Sequence, residues 1–474
     1  MALILPGNVA SALPTGYDVA NSCRFNDGDS AQMQKDTTSS DNIVDATISM
    51  WVKRGTLGTA QVLLAGNYKS NDLYYCSLSF TSGDALSFKN SDNGTNCELI
   101  TTRLFRDCSA WYYICVECDL SDAEADRVKI YINGTTRETA FSTTTNMTGD
   151  QFFLGKSGYQ VGVGALQDGS YFDGYMAEVC YVDGVSAGSP LTPTSFGEYN
   201  SDSPTIWQPI DVSELTFGAN GFYLDFEASG NLGNDANGGT DLTETNLAAT
   251  DQVTDSPTNN WCVMNPLSTA VSYKPTISQG NLQSVSPVYG AGLAISTLGA
   301  TSGKWYAEMY NVAYASLDRG SVGITGDPIG TVQVNPADHN IGTLTTSLDV
   351  GYLSDGQKKV GNSYSSYGDT FAVDDIISIA LNVDDDEVIF YKNGTAQASG
   401  SAISFTSGGT YHFVTSSSSN GGGNTWVINF GQEGSFAGNA TAGGNADGNG
   451  YGDFFYSVPA NHYCLNTKNL AEFG

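Results

Sequence analysis

Three short runs place acidic side chains close enough to share chemistry: Glu117-Cys118-Asp119, Asp225-Phe226-Glu227 and Asp384-Asp385-Asp386-Glu387. Glycoside hydrolysis is the reaction such pairs suggest, since it needs two carboxylates across a sugar, about 5–5.5 Å apart for retention. That pair is often displayed as Glu-x-Asp-x-x-Glu on one strand. Glu117 and Asp119 would share a strand face, but the position two beyond is Ser121, and Asp122 and Glu124 fall in the following turn. Asp225-Phe226-Glu227 lacks a third acid, and Asp384 to Glu387 reads as a turn. Solvated or turn-forming roles are therefore expected, with no catalytic residue and no enzyme. His339, His412 and His462 are scattered, and His412 sits in an apolar strand. The chain shows no Ser or Cys nucleophile motif, P-loop or dinucleotide fingerprint. Among nine cysteines, Cys115 and Cys118 are spaced C-x-x-C with Cys108 nearby. Inside a strand those two thiols point to opposite faces, a poor geometry for zinc, so reduced core cysteines are expected.

The elements that would position these groups are strands. Gly368 to Thr395 contains the apolar run Ile376 to Val383, a break at Asp384-Asp385-Asp386, a second run Val388 to Tyr391, and then Asn393-Gly394. Asn-Gly between apolar runs marks a type I′ turn, whose central residues both need positive φ. The design recurs at Arg127 to Ile132, followed by Asn133-Gly134-Thr135. Further strand-like runs are Thr47–Lys53, Gln61–Ala65, Leu73–Phe80, Ala85–Lys89, Glu98–Thr102, Trp111–Asp119, Gln151–Leu154 and Tyr171–Val182. Strands resume at Lys304–Tyr310, Ser321–Thr325, Tyr411–Thr415 and Thr425–Phe430. Short strands at this spacing indicate sandwiches. No long stretch shows the 3.6-residue period of a surface helix. The fold class is all-β, two antiparallel β-sandwiches in tandem.

Composition bounds the function. The 474 residues carry 50 acidic against 19 basic side chains, a net charge of −31. Such a field disfavours nucleic acid and anionic membranes, and no segment approaches the ~18 apolar residues of a membrane span. The N-terminal sequence MALILPGNVASALPTG lacks a basic region before its short apolar run and is not read as a secretory signal. Unpaired cysteines fit synthesis in a cytosol.

Resemblances sharpen this reading. Cys23-Arg24-Phe25-Asn26, Thr47 to Lys53, Trp111 to Ile114, Val128 to Gly134 and Phe172 to Val179 occur in the order and spacing of a LamG-like, concanavalin A-like lectin/glucanase domain. The second half resembles a SPRY domain through Gly303 to Glu308, Ser321 to Ile324, Ile379 to Asn382, Ile389 to Gly394 and Trp426 to Gly431. Across almost the full chain the arrangement is similar to structural proteins of tailed phages, especially from marine hosts. The pieces that carry this include Leu5 to Asn8, Arg24 to Ser30, Gly221 to Phe226, Ala249 to Asn260 and Gly452-Asp453-Phe454. What that implies is a virion protein, a fibre, knob or decoration on the particle surface after assembly in the host cytoplasm. The LamG resemblance brings one cofactor, calcium, held on loop carboxylates at a sandwich rim. Asp27, Asp29, Asp173 and Asp183 are the candidates from that half, although Asp is also favoured in turns by its own hydrogen bonds. No cofactor is required.

The expected organisation is an anchoring arm (1–20), a LamG-like sandwich (21–205), an ordered bridge (206–265), a SPRY-like sandwich (266–435) and a Gly-rich tail (436–474). The leading expectation is host-surface glycan recognition through rim loops and exposed aromatics. A purely structural decoration is the alternative, and a polysaccharide hydrolase comes third. Partners expected are other virion proteins through the arm, a host glycan, and further copies of the chain as a homo-oligomer.

Overall fold

The computed structural model describes residues 16–38, 43–68, 71–165, 169–184, 190–267, 274–286, 292–313, 320–326, 348–417 and 424–474. The chain divides into two compact units between Thr258 and Asn259. In the first, the strands are β1 Ser22–Phe25, β2 Gln32–Asp36, β3 Asp45–Arg54, β4 Gln61–Tyr68, β5 Asn71–Phe80 and β6 Ala85–Asp92. They continue as β7 Thr95–Leu104, β8 Trp111–Asp119, β9 Val128–Ile132, β10 Phe141–Thr145, β11 Tyr159–Val163 and β12 Gly174–Asp183. Shorter strands follow: β13 Gly197–Tyr199, β14 Trp207–Pro209, β15 Phe222–Leu224, β16 Thr243–Thr245 and β17 Gln252–Val253. Two large antiparallel sheets result, beside a two-stranded pair of β13 and β14. One runs β17-β1-β12-β3-β8-β9 with β15 also on β12, and the other β10-β7-β6-β5-β4-β11-β2-β16.

Alternation builds the core between them. On β3, Ile48, Met50 and Val52 face inward beside Ile114 and Val116 of β8, and meet Leu78, Phe88 and Val161 from the eight-stranded sheet. Each such side chain contributes roughly 1.5–3 kcal/mol on full burial. The opposite face of β3 and β8 carries Trp51, Trp111, Tyr113 and Cys115, and this face is covered too. Val19, Phe196, Trp207, Val212 and Phe217 lie over it as a third layer. The outer face of the seven-stranded sheet is thus closed, whereas the eight-stranded sheet presents Tyr75, Ser77, Ser87, Lys89 and Glu98 on its outer side.

Three stretches beyond residue 205 complete this first sandwich: β15 pairs with β12, β16 with β2 and β17 with β1. β12 is served on one side by β1 at Gly174–Met176 and then by β15 at Val179–Tyr181. The handover needs a bulge, and Glu178 occupies it at φ 50°.

The second unit has β18 Thr276–Ser278, β19 Gln283–Val285, β20 Gly292–Ile295, β21 Lys304–Ala313, β22 Ser321–Thr325, β23 Asp349–Leu353 and β24 Gln357–Val360. Then come β25 Ser363–Ser366, β26 Ile376–Asn382, β27 Glu387–Lys392, β28 Thr395–Ala396, β29 Ile403–Ser404, β30 His412–Ser417, β31 Thr425–Asn429 and β32 Tyr463–Cys464. A nine-stranded sheet with the path β18-β19-β31-β21-β26-β27-β28 faces a six-stranded one, β20-β30-β22-β23-β24-β25. Trp305, Met309, Ile379, Phe390 and Trp426 fill the space between, with Val322, Tyr352 and Phe413 opposite. The tail from Phe436 lies on the outer face of the nine-stranded sheet: Phe454 meets the Tyr306 ring at 4.9 Å, and β32 runs parallel to β21. One α-helix, α1 Thr467–Phe473, is found among the described residues, capped by Asn466, and none is long and apolar enough to cross a membrane.

The all-β expectation holds, with antiparallel sandwiches. Asn393-Gly394 turns at φ 49° and 76° between β27 and β28, as its type I′ reading requires. The strand expected at Gln151–Leu154 is not formed. Phe152 makes only an isolated bridge to Ile43, and the run is a loop held by ring contacts of Phe152 with Phe88 and of Phe153 with Tyr159.

Candidate functional site

Because one sheet of the first unit is roofed over, a surface ligand meets the other. On that outer face, β2, β11 and β16 border a cleft of about 590 Å3. Its walls are polar: Gln34 and Asp36 from β2, Gln160 from β11, Thr243 and Thr245 from β16, and Asp241 from the preceding loop. Strand alternation sets this pattern, since Met33 turns into the core and leaves Gln32 and Gln34 outside. Gln34 donates to Gln32 at 2.7 Å, and Gln160 stands opposite Asp36 with its amide 3.5 Å from that carboxylate. Asp241 accepts from the Asp235 N–H (3.0 Å) and the Asn231 amide (2.8 Å), which hold its carboxyl below the usual range and keep it ionised. Lys35 also borders the cleft, but its ammonium turns inward to the Gly221 carbonyl (3.2 Å) and sits 5.0 Å from the Phe222 ring centre. The cleft offers amide and hydroxyl donors and acceptors and two carboxylates. Its one lysine aims elsewhere.

The four calcium candidates are not brought together. Asp173 precedes β12 and Asp183 ends it, so about ten residues, roughly 30 Å of strand, separate them. Asp183 takes the Asn220 N–H at 3.1 Å. At the other end Asp29 accepts from the Asn26 amide at 2.6 Å. Asp173 is fully buried: Oδ1 accepts the Thr56 N–H at 2.8 Å, while Oδ2 has no hydrogen-bond partner. Burial, then the Asp27 charge, push the Asp173 carboxyl up to about 7. An unpartnered oxygen beside a second acid suits a cation in part. Calcium takes six to eight oxygens, however, and among the described residues no three His, Cys, Asp or Glu side chains converge for a metal. Asp27 and Asp173 would supply carboxylate oxygen there, and Asp183 cannot join them.

The acids weighed for hydrolysis are engaged. Glu117 accepts from Lys129 (2.6 Å) and Tyr131 (3.1 Å), and Asp119 closes its own turn on Ser121 (2.8 Å to N, 2.6 Å to Oγ). Cys115 faces the outer aromatic layer and Cys118 the core, and all nine cysteines are buried and unpaired by disulfides. His412 is packed in the core, its pKa pushed down to about 4 by burial. All six tryptophans are buried, at 8% exposure or less. No tryptophan is therefore among the exposed aromatics expected to meet sugar rings. Sequence reasoning missed the cleft because its only signal is a polar half-period, Gln32 to Asp36, next to strands that show themselves by apolar residues.

Two buried glutamates were also not foreseen. Glu178, in the β12 bulge, accepts from the Tyr223 hydroxyl at 2.7 Å, and Tyr223 lies 3.2 Å from the Tyr17 hydroxyl. Burial raises its carboxyl to about 8. Glu308 on β21 accepts the N–H groups of Phe455 and Tyr456, both at 2.8 Å, and burial raises it to about 7.

Residues 26–186 match the family model of the concanavalin A-like lectin/glucanases superfamily, Laminin_G_3. The first unit accordingly has the jelly-roll form of concanavalin A-like domains, a fold typical of binding modules. Among solved structures, the chain is similar to the SPRY domain of human HERC1, 20% identical, with 32% of this chain and 91% of that one covered and a TM-score of 0.27. A human SPRY domain is 17% identical, covering 33% and 96%, with a TM-score of 0.26. Stonustoxin is 13% identical, covering 35% and 27%, with a TM-score of 0.27. No curated protein sequence matches the chain.

Proposed function

We propose that this is a virion surface protein of a tailed phage, a fibre, knob or decoration, that binds host-surface glycan through the β2–β11–β16 cleft. One observation carries the glycan reading: the uncovered face of a lectin-type sandwich bears a polar cleft of about 590 Å3 in which Gln34, Asp36, Gln160, Asp241, Thr243 and Thr245 converge. Amides, carboxylates and hydroxyls are the groups that hydrogen-bond sugar hydroxyls. With no exposed cation at the cleft and a net charge of −31, neutral or amino sugars are favoured over sulfated or uronic ones. A handful of hydrogen bonds, each netting about 1 kcal/mol, gives roughly millimolar affinity, so display in many copies would supply the avidity. The phage assignment rests on the sequence resemblance.

The test is a glycan array probed with the full chain clustered on beads. Neutral or amino-sugar glycans should be retained, and Asp36→Ala with Gln160→Ala should lower retention at least tenfold without changing the melting temperature. Retention of sulfated glycans alone, or of none, would overturn the reading. The second outcome would favour the purely structural decoration, which the burial of every tryptophan already supports.

A further inference from the structure

Seven Asn-Gly pairs are spread along the chain, beginning at Asn93, Asn133, Asn220, Asn237, Asn393, Asn420 and Asn449. All but Asn420 fall among the described residues. Such a pair can react with itself. The glycine nitrogen loses its proton and attacks the asparagine Cγ, the side-chain nitrogen leaves as ammonia, and a five-membered succinimide closes. Water then opens that ring at either carbonyl and leaves aspartate or isoaspartate. Glycine permits the attack because no side chain shields its nitrogen. The reaction asks three things of the fold: an amide side chain free to rotate onto the main chain, a glycine N–H not committed to an acceptor, and open space around both. A hydrogen bond on either group must break first.

Five of the six described pairs lack at least one of these. Asn133 Oδ1 accepts the Tyr113 N–H at 2.8 Å. Asn220 is buried, and its amide donates to the Gly155 carbonyl at 2.8 Å. Asn393 is held at both atoms, Oδ1 accepting from the Ile376 N–H (2.9 Å) and Nδ2 donating to Asp375 (2.7 Å). Asn449 donates to Asn469 (2.9 Å) and Glu472 (3.1 Å). The Asn237 side chain is exposed, but the Gly238 N–H donates to the Asp235 carbonyl at 2.8 Å. Asn93-Gly94 differs on every count. It lies exposed at the tip of the β6–β7 hairpin, and among the described residues neither the Asn93 amide nor the Gly94 N–H has a hydrogen-bond partner. The tip is held by other groups: the Asn93 N–H donates to the Leu73 carbonyl and the Asp92 N–H to the Gly94 carbonyl, both at 3.0 Å. A Cβ placed on Gly94 would meet nothing nearer than the Asp92 carbonyl oxygen at 4.0 Å.

We infer that Asn93 is a site of spontaneous deamidation in the folded protein, with aspartate and isoaspartate as products. Each event exchanges a neutral amide for a carboxylate, and the isoaspartyl route adds a methylene to the main chain at the hairpin tip. An ageing chain therefore gains negative charge at this one turn. The inference is independent of the glycan reading, since neither residue lines the β2–β11–β16 cleft.

The test incubates the folded full chain in mildly alkaline buffer and follows the peptide around each Asn-Gly pair by mass spectrometry, with isoaspartate scored by enzymatic methylation. Asn93 should convert at least tenfold faster than Asn133, Asn220, Asn237, Asn393 and Asn449. In concentrated urea the six should react at similar rates. Gly94→Ala, which the open space around Gly94 accepts, should slow conversion at Asn93 at least tenfold with the melting temperature unchanged. Conversion at Asn93 no faster than at the other five, or as fast in Gly94→Ala as in the wild type, would overturn the proposal. A lead for Asn93 that persists in urea would also overturn it, since neighbouring sequence rather than the fold would then set the rate.

Discussion

Glu178, Glu308 and Asp173 are carboxyl groups that the fold has taken out of water. Burial raises them to about 8, about 7 and about 7, against ordinary values of 4.5, 4.5 and 3.8. Each binds a proton more tightly folded than unfolded, so the folded chain takes up protons across that interval. Their contribution is therefore greatest below about pH 4 and is lost as the pH rises through 7 to 8. Asp126, Asp211 and Asp385 shift the other way, but they are exposed and their effect falls below the ordinary carboxyl range; buried His412, lowered to about 4, opposes the trend below pH 6.5 but is one group against three. The urea midpoint should accordingly fall between pH 5 and pH 8. Glu178→Gln, which keeps an acceptor for Tyr223, should flatten that slope. A midpoint that stays level or rises over the same interval would show that these carboxyls ionise as freely in the folded state as in the unfolded one.

At the scale of elements, the tail segment at Phe454–Tyr456 is held to β21 by a side chain that contacts main chain. Glu308→Ala would leave the Phe455 and Tyr456 N–H groups without their acceptor, at a cost of about 3 kcal/mol. Glu308→Gln keeps one oxygen and should cost less. Limited proteolysis should then cut residues 440–457 in Glu308→Ala and spare the wild type; equal cleavage would mean the ring contacts alone hold the segment. The legibility of the elements follows the same physics. β26, β27 and the Asp384–Asp386 turn were plain because β-branched runs and turn formers coincide. β10 and β2 were not, since an edge strand of threonines and a half-polar strand carry little apolar signal. Gln151–Leu154 misled because three consecutive apolar residues serve a packed loop as well as a strand. Of the cleft, only types of residue were visible. Gln34, Gln160 and Thr243 lie far apart in sequence and meet only through the strand order β11-β2-β16.

Over the whole molecule, the division at Thr258 gives each unit its own core, led by residues such as Met50, Phe88 and Ile114 in one and Ile379, Phe390 and Trp426 in the other. Residues 14–258 expressed alone should unfold cooperatively in urea, because β15, β16 and β17 are included. A fragment ending at residue 205 should not, since it strips β12, β2 and β1 of those partners. Equal stability of the two fragments would refute that role for the closing strands.

The tryptophans are shared evenly, Trp51, Trp111 and Trp207 in the first unit and Trp261, Trp305 and Trp426 in the second, all shielded from solvent. Their emission is thus a blue-shifted, quencher-resistant optical signature of both cores at once. It will follow denaturation faithfully and stay blind to a sugar arriving at the β2–β11–β16 cleft, so a silent fluorescence titration says nothing against a bound glycan.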